Sequence, residues 1–185
     1  MPRRYRRRRY AIARPLKTAK YSNETYAGEM VLSKTRPAGA MVIVPTTEIL
    51  ATRKVKNLTI RLNVTGNKWQ IGENTNIDYG RALPYTVFCA VIYVPQGNAA
   101  NGLNSAGFND EVDVQSAISM YEPNQNVIMS GLLGPETPLV MKTRLARNLN
   151  AGDQIALIFQ LDINSTYYHA IETCVTATAN YAISY

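Results

Sequence analysis

Residues 54–64 alternate, with Leu58, Ile60, Leu62 and Val64 on one side and Asn57, Thr59, Arg61 and Asn63 on the other. A period of two is what a strand with one buried face requires. Residues 154–163 repeat it with Ile155, Leu157, Phe159, Leu161 and Ile163, and residues 172–185 set Val175, Ala177, Ala179, Tyr181 and Ile183 against Thr176, Thr178 and Asn180. Residues 85–94 differ in being apolar on both sides, with Pro84 and Pro95 as brackets. That pattern predicts a central strand covered on both faces, because proline ends hydrogen-bonded pairing. Weaker strand signals lie at 25–33, 40–44, 126–131 and 139–145.

About eight strands separated by Gly, Pro, Asn and Ser predict an all-β chain: a single eight-stranded jelly-roll sandwich. Helix is scarce. Residues 46–52 have room for one turn, and Val114, Ala117, Ile118 and Tyr121 fit the i, i+3, i+4, i+7 spacing of a short helix. The chain has 185 residues, of which 46% are hydrophobic and 18% charged, the size and balance of one packed domain that needs neither disulfides nor metals. The longest apolar run, 85–95, is about half a membrane-spanning helix, so no membrane insertion is expected. Residues 11–15 are too short and interrupted for the apolar part of a secretory signal.

Charge changes the picture more than composition does. Arg3, Arg4, Arg6, Arg7, Arg8, Arg9, Arg14, Lys17 and Lys20 give the first 20 residues a charge of +9 with no acidic residue. The rest of the chain has 11 basic against 13 acidic residues, a net −2. A block of like charge with little apolar content does not bury enough surface to offset its ordering entropy. Residues 1–22 are therefore expected to be a disordered arm that binds a polyanion, and residues 23–185 the folded domain. Arginine matches phosphate geometrically and releases condensed counterions, while Tyr5 and Tyr10 are placed to stack on unpaired bases. The same run fits a nuclear localisation signal, which is compatible with binding. Arg53, Lys54, Lys56 and Arg61 form a second basic cluster that can continue the surface the arm serves.

Other chemistry is sparse. His169, the only histidine, follows Tyr167 and Tyr168 and has no nucleophile elbow to serve, so it reads as a packed or surface residue and the chain as a non-enzyme. Cys89 and Cys174 stand 85 residues apart within strand patterns, which reads as two small buried hydrophobes that stay reduced, with no zinc site. Residues 97–102 imitate the start of a phosphate-binding loop, but Leu103 stands where lysine is needed. Asp110, Glu111 and Asp113 offer oxygen ligands to a divalent cation without the spacing of a calcium loop, and a solvated loop is the simpler reading. The sequons at Asn23, Asn57, Asn63 and Asn164 read as chance matches. No cofactor is expected.

The start Met1-Pro2-Arg3-Arg4-Tyr5-Arg6-Arg7-Arg8-Arg9-Tyr10, followed by an all-β body of this length, resembles the capsid (coat) proteins of small circular single-stranded DNA viruses, the circovirus-like group. The basic stretch 53–56 and the segments 91–97, 121–128 and 144–153 are similar to stretches that recur in such capsids. The resemblance implies a homo-oligomeric icosahedral virion shell, of T=1 size with about 60 copies. It also implies an inward arm on a single-stranded DNA genome, and passage through the host nucleus by way of import receptors. The competing reading is a cellular RNA-binding protein, such as a ribosomal protein with a basic N-terminal extension. A body embedded in ribosomal RNA is usually basic itself, whereas this one is slightly acidic.

Overall fold

The computed structural model of the chain describes residues 20–33, 35–48, 50–71, 78–79, 87–97, 126–134, 137–144, 146–161 and 168–184. They form ten strands: β1 (Ser22–Ser33), β2 (Ala38–Val44), β3 (Arg53–Ile71), β4 (Asp78–Tyr79), β5 (Val87–Val94), β6 (Val127–Leu133), β7 (Leu139–Thr143), β8 (Arg147–Leu149), β9 (Gln154–Leu161) and β10 (Tyr168–Ser184). Two antiparallel sheets result. One runs β1-β10-β3-β4, with β7 and β8 also paired to β3, and the other runs β2-β9-β5-β6. The pairing is nested along the chain. β1 meets β10, β2 meets β9, β3 meets β7 and β8, and β5 meets β6, while β10–β3 and β9–β5 join these pairs side by side.

The inner faces of the sheets share one apolar core that includes Leu32, Ile43, Ile60, Leu62, Leu157 and Val175. Burial follows the period of two: on β3 Leu58, Ile60 and Leu62 are buried, while Asn57, Arg61 and Asn63 are exposed. β5 lies between β9 and β6 and is buried on both faces, since Phe88, Ala90, Ile92 and Val94 join Ala156 and Ile158 in a second apolar cluster. A strand enclosed on both sides needs apolar residues at every position, which is what the continuous run supplies.

The structure departs from the sequence expectations in several places. The strands number ten because β4 and β8 have two and three residues, too few to show a period, and β8 stands apart from β7. β3 and β10 extend beyond 64 and before 172 because they pair with each other from Tyr168↔Ile71 onward. Hydrogen bonding to a distant partner holds those ends extended where local alternation has faded. The described positions of 46–52 carry no helical turn, and no helix occurs among the described residues, so none is long and apolar enough to cross a membrane. The helix signal at 114–121 lies outside the described residues.

One irregularity decides where the charges point. Between Asn180↔Thr59 and Ala182↔Lys56, β10 advances two residues and β3 three. Asn57 takes up the difference as a bulge with φ 56°, a left-handed conformation that asparagine tolerates better than most residues. The bulge reverses the alternation, so Arg53 and Val55 face inward with Leu58, while Lys54 and Lys56 share the outer face with Thr59 and Arg61.

Candidate nucleic-acid interface

Cross-strand partners share a face, so the register lays out the outer surface of the larger sheet in rows. Asn23, Ala182 and Lys56 form one row; Thr25, Asn180, Thr59 and Lys142 the next; Ala27, Thr178, Arg61 and Val140 a third; Glu29, Thr176 and Asn63 a fourth. Lys54 continues the face at one end beside Ser184 and Asn148. Threonine and asparagine keep this surface low, and Thr25 ties two strands through a 2.8 Å hydrogen bond from its hydroxyl to Asn180 Oδ1. Among the described side chains, the outward positions of β3 and β7 carry Lys54, Lys56, Arg61 and Lys142 and no carboxylate. The same sheet face carries exposed Glu29 on β1 and Glu172 on β10, so the cations are concentrated on β3 and β7, where they can attract a polyanion without a pocket.

The first described residues, Lys20 and Tyr21, lie at the edge of this face. Lys20 is exposed, and the Lys56 ammonium lies 3.5 Å from the centroid of the Tyr21 ring. Lys54, Lys56 and Arg61 thus share one face, and Lys56 touches Tyr21 at its edge. Arg3, Arg4, Arg6, Arg7, Arg8, Arg9, Arg14, Lys17, Tyr5 and Tyr10 lie outside the described residues.

Arg53 does not join them. It is 3% exposed, it pairs with Leu149 on the inner face, and its Nη2 donates to the carbonyl of Asp153 at 3.1 Å. Reading Arg53 as a phosphate ligand is therefore corrected: its guanidinium is spent inside the fold, with Nε unpartnered. Asp153 is the hub of that end of the sandwich. Its carboxylate accepts the Tyr93 hydroxyl at 2.8 Å, the Gln96 N–H at 3.0 Å and the Asn150 N–H at 2.7 Å. Burial, then the bond to Asp153 and its charge, raise the Tyr93 pKa, against a smaller lowering by Arg147. The Asp153 N–H closes a turn onto the Asn150 carbonyl at 3.1 Å, with Gly152 at φ 83° in the third position, as a type II turn requires.

The cysteines also separate. Cys89 is a core residue whose thiol donates to the Gly131 carbonyl at 3.2 Å, and burial pushes its pKa up to about 12. Cys174 is only half-buried, on the outer face of the other sheet beside Val31, which corrects its reading as a core hydrophobe. Both are free thiols. His169 lies in β10 and Gly97 in a turn at φ 86°. Asp110, Glu111 and Asp113 fall outside the described residues, within which no group of metal-ligating side chains forms.

Sequence reasoning missed three contributors. Lys142 was detectable as the polar position directly after Met141, yet only pairing with β3 puts it beside Thr59. Tyr21 carries no signal beyond its place at the end of the arm, and Asp153 none beyond its turn. No known family model matches the chain, and no curated protein matches it significantly.

Proposed function

We propose that the chain is a viral capsid subunit that assembles with copies of itself into an icosahedral shell and packages single-stranded DNA through its arginine-rich arm. The observation that carries the reading is the division of charge: +9 in the first 20 residues and −2 in the rest, with the root of the arm set against a cationic sheet face. Such an arm is useful where nucleic acid is concentrated, as inside a shell, and closed symmetry limits growth to a defined size. The nested pairing supports a jelly roll. Counting β7 and β8 as one strand and leaving out the two-residue β4, first pairs with last, second with seventh, third with sixth and fourth with fifth, as in a long hairpin rolled into two sheets. In this reading the face bearing Lys54, Lys56, Arg61 and Lys142 turns toward the genome. The particle is the virion form, and import receptors that read the arm carry the subunit to the host nucleus.

Electron microscopy and light scattering of the purified protein test this directly, together with the same protein lacking residues 1–20. Closed particles are expected from the full chain, with nucleic acid lost from the truncated one and its β-type circular dichroism retained. For single strands the logarithmic salt slope is about −0.7 per phosphate contacted, so nine engaged cations give about −6, which truncation should flatten. A 20.6 kDa monomer at every salt and pH, still binding RNA, would favour the ribosomal-type reading instead.

A further inference from the structure

The arm begins at the edge of the larger sheet, because β1 is the outermost strand and its first residue is Ser22. From there a chain can leave the sandwich sideways or turn back over the outer face. Tyr21 turns back. Its ring lies at Lys56 of β3, and β3 is separated from β1 by the whole width of β10, a span of about 10 Å at ordinary strand spacing. Ala182 of β10 lies between them in the same row, pairing with Asn23 on one side and Lys56 on the other. It faces outward and yet is only 6% exposed, as a methyl group beneath such a bridge is. Lys56 is half-buried, whereas Lys54 is exposed.

We propose that Tyr21 and Lys56 form a latch that lays the root of the basic arm across the outer face of the larger sheet, so that Lys56 positions the arm and is not itself a phosphate ligand. The inference rests on the nucleic-acid reading above and divides its basic cluster further. Lys54, Arg61 and Lys142 remain available to phosphate, while the Lys56 ammonium is held on the π-face of Tyr21, where ring quadrupole and cation attract. The arm then starts over the cationic surface, and the two act as one site with a high effective concentration of each for the other.

The test uses the full chain and its Tyr21→Ala, Tyr21→Phe, Lys56→Gln and Lys54→Gln variants, with an oligothymidylate as probe. Limited trypsin digestion without nucleic acid reads the latch alone. Cleavage after Lys20 should be faster in Tyr21→Ala and in Lys56→Gln, which leaves the sequence around the cleaved bond untouched, and unchanged in Tyr21→Phe and Lys54→Gln. Binding of the oligonucleotide should weaken about two- to fivefold in the two latch variants at fixed salt, the change an exposed cation–π contact supports, with the salt slope unaltered. Lys54→Gln should instead reduce the slope by about 0.7. A Lys56→Gln slope that falls as the Lys54→Gln slope does, or cleavage after Lys20 that no variant accelerates, overturns the latch. Wild-type protein that protects Lys20 but binds no single strand overturns the nucleic-acid reading and with it the purpose of the latch, while normal binding with unprotected Lys20 overturns the latch alone.

Discussion

Replacing Arg53 separates what the fold needs from what a polyanion needs. Among the described residues its guanidinium makes one hydrogen bond, to the Asp153 carbonyl, and Nε is buried without an acceptor. Arg53→Ala removes two methylene groups, Cγ and Cδ, from the core, roughly 0.8 kcal/mol each. It also removes a charge-assisted hydrogen bond of about 1.5–3 kcal/mol and an orphaned donor that costs about 1–3 kcal/mol. The polar contributions nearly offset, so the lost stem dominates and the expected destabilisation is about 1.5–2 kcal/mol. Arg53→Met keeps most of the stem and should change stability by less than about 1 kcal/mol. Urea denaturation followed by circular dichroism, on unassembled protein, measures both. Neither variant should alter the salt slope of single-stranded DNA binding by more than about 0.2, whereas Lys54→Gln should lower it by about 0.7. A fall of that size in Arg53→Met would mean that the Arg53 guanidinium reaches phosphate and that the reversal of faces at Asn57 is wrong.

Asn57 itself is testable: Asn57→Gly should cost only tenths of a kcal/mol, but Asn57→Val about 1–2 kcal/mol, because a β-branched residue resists the left-handed conformation. Thiol labelling of the folded protein at pH 8 should modify Cys174 and spare Cys89, and a Cys89–Cys174 bond in fresh protein would contradict their places on different sheets. The raised Cys89 pKa also sets a sign. The folded state keeps this proton up to about pH 12 while the unfolded chain loses it near its ordinary value of 9.0, so the stability it contributes is full below pH 9 and is lost as pH rises toward 12. Cys89→Ala should flatten that part of the pH profile, and an unchanged slope counts against the assignment.

Much of the fold is legible because burying one face of a strand imprints a period of two, as at Leu58, Ile60 and Leu62, and burying both faces imprints a continuous run, as in β5. Where pairing alone makes the strand, as in β8 or the far ends of β3 and β10, nothing local marks it. Cys174 shows a signal present but outweighed. It shares the parity of Thr176, Thr178 and Asn180, the outward positions, although cysteine is among the most buried residue types.

The sequence by itself determines the division of charge, since nine cations in 20 residues stay together covalently whatever the chain folds into, and it determines that the body is built of strands. Which basic side chains of β3 reach solvent was decided only by the tertiary structure. Strict alternation counted back from Leu62, Ile60 and Leu58 puts Lys56 and Lys54 in the core and Arg53 outside. The observed arrangement is the reverse. Alternation holds only while every residue stays extended, and one left-handed residue at Asn57 inverts everything before it. Asparagine permits that conformation without requiring it. The pairing that fixes it there belongs to β10, more than 100 residues away along the chain, with three residues of β3 set against two.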